Sequence, residues 1–154
     1  MEIIWTDGAD ERFQALCAEL DGHLNDAVGG ASQRAHYNAF NSTVNIHDVV
    51  LLAEDGIALA CGSFKQLDEH TVEMKRVFVR PQARRRGLGR QVVRLLLAQA
   101  AAAGFQRMVL ETGRTFTAAC TLYQAEGFAL IENYGPYRDL PHSVCMEIQL
   151  PPTA

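Results

Sequence analysis

The chain has 154 residues, of which 48% are hydrophobic and 21% charged, and its formal net charge is -4. These values exclude a disordered chain, and the length suits one domain over residues 1–154 with a single core. The charge is uneven, because residues 76–94 hold seven arginines and no acid, which leaves -11 on the rest of the chain. One basic segment on an acidic body argues against extended binding to DNA or RNA.

The cysteines and the apolar segments bear on location and metal binding. The four cysteines are far apart, with no C-x-x-C pair and no His or acid at metal spacing, so we expect reduced, mostly buried thiols and no metal. The opening residues, MEIIWTDGAD, lack a basic segment followed by an apolar run, and we expect no secretory signal. No stretch reaches the roughly 18 to 20 apolar residues of a membrane span. A cytoplasmic protein is therefore expected.

In the first half of the chain, the pattern predicts a strand at residues 2–5 and then a helix at residues 10–20. Residues 22–45 are the hardest to interpret, with a short helix over 33–40 as one alternative. The segments DVVLLAE and IALACGSF, joined by Asp55-Gly56, predict a hairpin, and TVEMKRVFV predicts a third strand that ends before Pro81.

In the second half, helical spacing predicts a helix from Leu88 to Ala103, ended by Gly104. The apolar run RMVLET is typical of a central strand. A second helix is predicted over residues 117–125, and the segments FALIE and SVCMEIQL predict the last two strands. This order predicts an α/β fold (α+β in its mixed sheet), with helices on both faces of a central mixed β-sheet.

The arginine segment lies where a strand should end and a helix should begin, in the pattern Arg84-x-x-Gly87-x-Gly89. The first amides of a helix have no partner inside it and carry partial positive charge, so a phosphate binds there readily. Glycine permits close approach of the backbone, and arginine adds forked, permanent donors. The pattern is neither a P-loop nor the dinucleotide G-x-G-x-x-G motif. By itself it is also compatible with a solvated basic helix start.

Two segments together resemble a known family. VEMKRVFVRPQARRRGLGRQVVRLLL resembles the coenzyme A signature of the GNAT acyl-CoA N-acyltransferases, and LYQAEGFALI resembles their second signature. The resemblance covers about residues 49–150. It implies a GNAT-like fold, an acetyl-CoA co-substrate and transfer of an acetyl group to an amine. The N-terminal third, where acceptor specificity is usually set, matches least.

The resemblance also implies which residues bind the cofactor. The pyrophosphate loop would be formed by Arg84, Arg85, Arg86, Gly87, Leu88, Gly89 and Arg90. Val77, Phe78 and Val79 would hold the pantetheine arm by main-chain hydrogen bonds, and a backbone N–H near Val77 would stabilise the thioester oxygen. Phe116 stands where many members have an asparagine that contacts pantetheine. Thr117 is expected beside the cofactor, capping the following helix.

Two catalytic residues are expected from the resemblance. Tyr123 has the family spacing to Gly127-Phe128 and would protonate the departing thiolate. The alternative for Tyr123 is packing in the core. Glu73 has the offset of a glutamate base and would help to deprotonate the amine, whereas the alternative is a pair with Lys75 or a neighbouring strand charge. Cys120, on the same helical face as Tyr123, is expected to be a packed thiol and not a nucleophile.

The acceptor pocket is the least determined part. His36, Tyr37, Asn38 and His47 lie in the variable region and, with Tyr134 and Tyr137 as the opposite wall, are expected to line a polar cleft. A small amine is expected in preference to a protein lysine or N-terminus. A non-catalytic acyl-CoA sensor and a nucleic-acid-binding domain remain rival functions, and a homodimer through the last strand remains open.

Overall fold

The computed structural model describes residues 1–27 and 46–152. This part of the chain forms seven strands and three α-helices. In chain order they are β1 (Glu2–Thr6), α1 (Glu11–Ala27), β2 (Asp48–Glu54), β3 (Ile57–Gln66), β4 (Thr71–Val79), α2 (Leu88–Ala102), β5 (Arg107–Gly113), α3 (Thr117–Ala125), β6 (Ala129–Ile131) and β7 (Ser143–Gln149).

The strands form one sheet in the order β1-β2-β3-β4-β5-β7-β6. Neighbouring strands are antiparallel, except that β4 and β5 are parallel. This parallel pair is short: it joins the first three residues of β4, Thr71 to Glu73, to Arg107 to Val109 of β5. Past Glu73 the two strands no longer pair, so the sheet forks between β4 and β5.

The helices cover the two faces of the sheet. Helices α2 and α3 pack on one face, where the buried core includes Val50, Phe64, Val72, Leu96, Met108 and Leu110. Helix α1 packs on the other face through Phe13, Leu16 and Cys17, against β2, β3 and Phe78 of β4. The predicted mixed sheet with helices on both faces is therefore found.

Most elements lie within a residue or two of the sequence prediction, but α1 is longer than expected. It continues from the predicted end at Leu20 to Ala27. Two contacts to β4 hold the extension: Asp21 forms an ion pair with Arg76, and the His23 ring lies 5.6 Å from the Phe78 ring. The extension contains Gly22, which has no side chain to contribute to an apolar helix face. The local sequence therefore did not predict these turns. The alternative helix over 33–40 lies outside the described residues.

A β-bulge interrupts β4 at Arg76. Cys61 is in register with Phe78 and Ser63 with Lys75, so two residues of β4 lie opposite Gly62. Arg76 takes a left-handed conformation with φ of 63°, which is strained for a residue with a side chain. Its guanidinium compensates by binding both oxygens of Asp21, at 2.8 and 2.9 Å. The bulge bends β4 just beyond the fork.

Within residues 1–27 and 46–152, no helix is long and apolar enough to cross a bilayer. Nor does this part of the chain bring together three His, Cys, Asp or Glu side chains that could hold a metal ion. The four cysteines are unbridged, and all except the half-buried Cys120 are buried.

Candidate active site

The turn between β4 and α2 has an unusual backbone. After β4, Pro81–Ala83 form a 3₁₀ turn, and the chain reaches α2 through Arg85 with φ of 67° and Gly87 with φ of 75°. Both values are left-handed, and glycine takes such a value without steric cost whereas arginine does not. Left-handed residues beside a helix start turn successive amides to one side, as in anion-binding nests.

The two glycines of this turn have different roles. Gly87 is the N-cap of α2, and its carbonyl accepts the first helical hydrogen bond, from Gln91 N–H at 3.1 Å. Gly89 lies inside the helix, where an added Cβ would come within 3.3 Å of Leu122 on α3 and 3.7 Å of Val79 on β4. Gly87 therefore supplies the backbone conformation, and Gly89 lets α2 approach α3 closely.

Most arginines of the basic segment are already paired. Arg76 binds Asp21, Arg80 binds Glu19 and Arg86 binds Glu54. Glu126, at the end of α3, accepts from Arg90 at 3.2 Å and from Arg94 at 3.1 Å. Among the described residues, Arg84 and Arg85 are the members of this segment without an ion pair, and Arg84 donates to the carbonyl of Val79 at 3.2 Å. The segment is therefore far less cationic than its seven arginines suggest.

A cleft of about 300 Å³ lies along the outer face of the first turns of α2. It is lined by Gly87, Arg90, Gln91, Arg94 and Leu95. The paired guanidinium groups of Arg90 and Arg94 thus border a cavity that begins at the left-handed turn.

The end of β4 exposes main-chain groups to the fork. Arg80 N–H donates to the carbonyl of Leu59 on β3 at 2.9 Å. Because successive residues of a regularly paired strand point their amides in opposite directions, the N–H group of Val79 points away from β3 and toward the fork. Phe78 faces β3 with its main chain, and its side chain packs against α1.

Glu73 lies at the fork in a buried polar cluster. Its Oε2 accepts a 2.5 Å hydrogen bond from the Tyr134 hydroxyl, and its Oε1 lies 3.5 Å from Lys75 Nζ and 3.9 Å from Lys65 Nζ. Lys75 also donates to the Tyr137 hydroxyl at 3.3 Å. The sequence left two alternatives for Glu73, a functional carboxylate or a partner of Lys75. In the structure Glu73 forms the ion pair with Lys75 and also accepts a hydrogen bond from Tyr134, while Tyr137 accepts one from Lys75.

Burial sets the protonation of this cluster. It raises the pKa of Tyr134, and the nearby Glu73 carboxylate raises it further. The pKa of Tyr137 is raised by the same two causes. The pKa of Lys75 is lowered by burial, while Glu73 acts in the opposite direction. Both hydroxyl groups therefore keep their protons at neutral pH and donate or accept hydrogen bonds as neutral groups.

Tyr123 lies on α3, with its side chain in the core between that helix and the sheet. Its ring packs edge-on against Phe128, with centroids 6.0 Å apart. Burial raises the pKa of the Tyr123 hydroxyl, with smaller contributions from Cys120 and from Glu111 on β5. The pKa of Cys120 is raised by burial, which keeps that thiol protonated and agrees with a packed side chain.

Comparison with known proteins decides the family. The sequence model described as "Acetyltransferase (GNAT) family" matches residues 13–128. The chain is 33% identical over 134 residues to an "IAA acetyltransferase" from Azospirillum brasilense, covering 86% of each protein. The chain belongs to the GNAT family. It is thus an acetyltransferase that uses an acyl-CoA donor.

Solved structures show the same GNAT fold. A protein from Klebsiella pneumoniae assigned to the acyl-CoA N-acyltransferases matches with a TM-score of 0.79 and 28% identity, over 97% of each chain. A GNAT family acetyltransferase from Elizabethkingia anophelis, solved with acetyl-CoA bound, matches with a TM-score of 0.69 and 16% identity, over 97% of each chain. The fold expected from the sequence is confirmed.

One expectation about the second GNAT signature is wrong. Thr117 does not cap α3: the N-cap is Phe116, and the Thr117 hydroxyl lies 3.5 Å from the carbonyl of Thr115. Thr117 is instead the exposed first residue of the helix. The Phe116 ring packs over Gly113, where an added Cβ would meet it at 2.7 Å.

The structure describes only some of the residues expected to line the acceptor cleft. Tyr134 and Tyr137 do come together, and they meet β4 at Glu73 and Lys75. His47 is exposed, and His36, Tyr37 and Asn38 lie outside the described residues. Glu111, whose Oε2 accepts a 2.6 Å hydrogen bond from Ser143, was not singled out from the sequence. Its signal was a lone acid inside the apolar run RMVLET.

Proposed function

We propose that this protein transfers the acetyl group of acetyl-CoA to the primary amine of a small molecule, by direct attack through a tetrahedral intermediate. The observation that carries the proposal is the left-handed turn at Arg85 and Gly87. It leads from β4, just past the fork, directly into the first turn of α2. Such a turn binds a diphosphate through backbone amides.

Coenzyme A would occupy the turn and the fork together. The pyrophosphate would lie on the amides of residues 84–90, assisted by Arg84 and Arg85, which have no ion pair with an acid of the described residues. The pantetheine arm would extend along β4 and accept hydrogen bonds from the N–H groups of Val77 and Val79. The relatives solved with acetyl-CoA or coenzyme A support this co-substrate.

The chemistry requires two proton transfers. The neutral amine nitrogen attacks the thioester carbon, the oxygen gains charge near the Val77 amide, and collapse breaks the carbon–sulfur bond. Glu73 takes a proton from the amine, directly or through water, and Tyr123 donates its proton to the departing thiolate. Burial raises the pKa of the Tyr123 hydroxyl, so it is protonated before transfer but is a weaker acid than a free tyrosine.

A small acceptor is favoured by the burial of Glu73, whose side chain is 5% exposed. The side chain of a protein lysine would have to reach past Tyr134, which covers one carboxylate oxygen. A free amine needs less space. The non-catalytic sensor is less favoured because the chain retains both residues expected to transfer protons, Glu73 and Tyr123.

The test combines binding and turnover. Isothermal titration should give an acetyl-CoA Kd below about 1 mM, and a thiol assay should detect coenzyme A release with one of a panel of primary amines. Tyr123→Phe keeps the ring that packs on Phe128 and removes the hydroxyl. It should lower kcat by about 100-fold and leave the Kd for acetyl-CoA within about twofold.

Two results would contradict the proposal. If titration shows no acetyl-CoA binding, the cofactor assignment is wrong. If the wild-type protein binds acetyl-CoA but no amine in a panel of alkylamines, amino acids and polyamines promotes release, the sensor function replaces catalysis.

A further inference from the structure

The loop between β6 and β7 carries the two tyrosines that are expected to line the acceptor cleft. Its two tyrosines stack edge-on with ring centroids 5.6 Å apart, and both reach β4. Tyr134 donates to Glu73 at 2.5 Å, and Tyr137 accepts from Lys75 at 3.3 Å. The position of Glu73 therefore depends on a loop that joins β6 and β7, which lie beyond β5 on the other side of the fork from β4.

One side chain organises this loop. Asn133 Nδ2 lies within hydrogen-bond distance of three backbone carbonyls, those of Tyr137 at 3.1 Å, Leu140 at 3.3 Å and Ser143 at 3.0 Å. The amide nitrogen has two hydrogens, so the three acceptors share them. Only the nitrogen suits this place, because the amide oxygen would face three other oxygens.

The three carbonyls span the loop. They lie four, seven and ten residues after Asn133, so one amide joins the second residue of the loop to its middle and to the first residue of β7. Fixing a loop of this length costs conformational entropy, and several hydrogen bonds to one group offset part of that cost. Asn133 precedes Tyr134 directly, so it also fixes the direction in which that tyrosine leaves the backbone.

We propose that Asn133 is a positioning residue, which holds the β6–β7 loop so that Tyr134 and Tyr137 orient Glu73 and Lys75 for the acceptor amine. The acceptor role rests on the proposed function, whereas the effect on the tyrosines does not. The side-chain amide of Asn133 donates to main-chain carbonyls of the loop and its neighbouring strand. It acts through the loop.

The test compares Asn133→Ala with Arg114→Ala as a matched control. Arg114 Nε also donates to a carbonyl of this loop, that of Pro141 at 3.4 Å, but from an exposed position. The direct readout is the ¹H NMR signal of the Tyr134 hydroxyl, which a short hydrogen bond to a carboxylate shifts downfield and slows in exchange. Tyr134→Phe assigns the signal.

Asn133→Ala should abolish that signal and lower amine-dependent turnover about tenfold or more, because small displacements of orienting groups are costly. The acetyl-CoA Kd of Asn133→Ala should stay within about twofold of the wild-type value. Arg114→Ala should leave the hydroxyl signal, the turnover and the Kd unchanged. A residue that only stabilises the fold would lower Tm without removing the hydroxyl signal. If Asn133→Ala does not fold, Asn133→Asp keeps the size but cannot donate when ionised, and it should lose the signal equally.

A hydroxyl signal that persists at its wild-type position in the folded Asn133 variant would overturn the inference. The hydroxyl signal is measured on the protein alone, without acetyl-CoA or an amine. It therefore tests the positioning role of Asn133 even if the wild-type protein releases no coenzyme A. That second result would defeat the proposed function and leave the positioning role standing.

Discussion

Lys75 and Lys65 approach the same oxygen of Glu73, at 3.5 and 3.9 Å, but from different environments. The side chain of Lys75 is 4% exposed and that of Lys65 is 37% exposed. Exposed ion pairs contribute little to stability, because water screens them. A buried pair also contributes little in net terms, but removing one partner leaves the other charge uncompensated. Comparing the two lysines therefore separates the effect of burial from the effect of charge on the ion pairs of Glu73.

Lys75→Met should lower the free energy of unfolding by about 3 kcal/mol, because Glu73 would remain buried with its nearest cation removed. Lys65→Met, the control, should lower it by less than about 1 kcal/mol. Urea unfolding at neutral pH measures both. Adding Glu73→Gln to Lys75→Met should recover part of the loss, because no unpaired charge is then buried. Equal losses for the two lysine variants would contradict this account of the cluster.

Single residues of the site were predictable to different degrees. Tyr123 and Glu73 could be proposed as catalytic residues because their spacing to the two signatures matches the family pattern. Asn133 and Ser143 gave no signal, since their partners lie on a loop and on a neighbouring strand. The bulge at Arg76 is reflected in the sequence TVEMKRVFV. The alternating apolar residues are at even positions before it, Val72 and Met74, and at odd positions after it, Val77 and Val79. Such a shift in the two-residue alternation of a strand indicates one inserted residue.

At the scale of elements, the contact between α2 and the sheet depends on Gly62. This residue lies on β3 opposite the bulge, and an added Cβ would lie 2.4 Å from Val92 and 2.9 Å from Leu96. Both neighbours are fully buried on α2. They cannot turn aside, so a methyl group there would push the whole helix away from β3. The first turn of that helix carries the proposed diphosphate site.

Gly62→Ala should therefore lower the free energy of unfolding by about 2 kcal/mol and also weaken acetyl-CoA binding. Gly22→Ala is the matched control, since Gly22 lies inside α1 with open space around its added Cβ. It should raise stability by about 0.5 to 1 kcal/mol and leave the acetyl-CoA Kd unchanged. Chemical unfolding and isothermal titration measure the two effects. A Gly62→Ala protein with wild-type stability and Kd would show that α2 adapts without cost.

Elements with strong local signals were predicted well. Strand β2 and helix α3 have the predicted bounds, because periodicity and turn residues mark both ends. The end of α1 was not predictable, since it depends on an ion pair between Asp21 and Arg76, 55 residues apart. The fork was not predictable from residue patterns either. It depends on where β4 and β5 stop pairing, and the sequence of neither strand changes character there.

For the whole molecule, the decisive quantity is the charge that remains after pairing. Five of the seven arginines in residues 76–94 bind acids of the described chain. The positive character of the turn then comes mainly from Arg84, Arg85 and the amides at the start of α2. Backbone donors in a cleft are less sensitive to salt than free surface charges.

The acetyl-CoA Kd should accordingly rise by less than about tenfold when NaCl increases from roughly 50 to 500 mM. Glu126→Gln removes the carboxylate that holds Arg90 and Arg94, so it should bind acetyl-CoA more tightly at low salt and depend more steeply on salt. Glu69→Gln is the control, because it changes the net charge equally at a 92% exposed position. Titrations of the three proteins over the salt range measure the slopes. A wild-type slope as steep as that of Glu126→Gln would mean that Arg90 and Arg94 leave Glu126 for the phosphates, and that the full basic segment acts in binding.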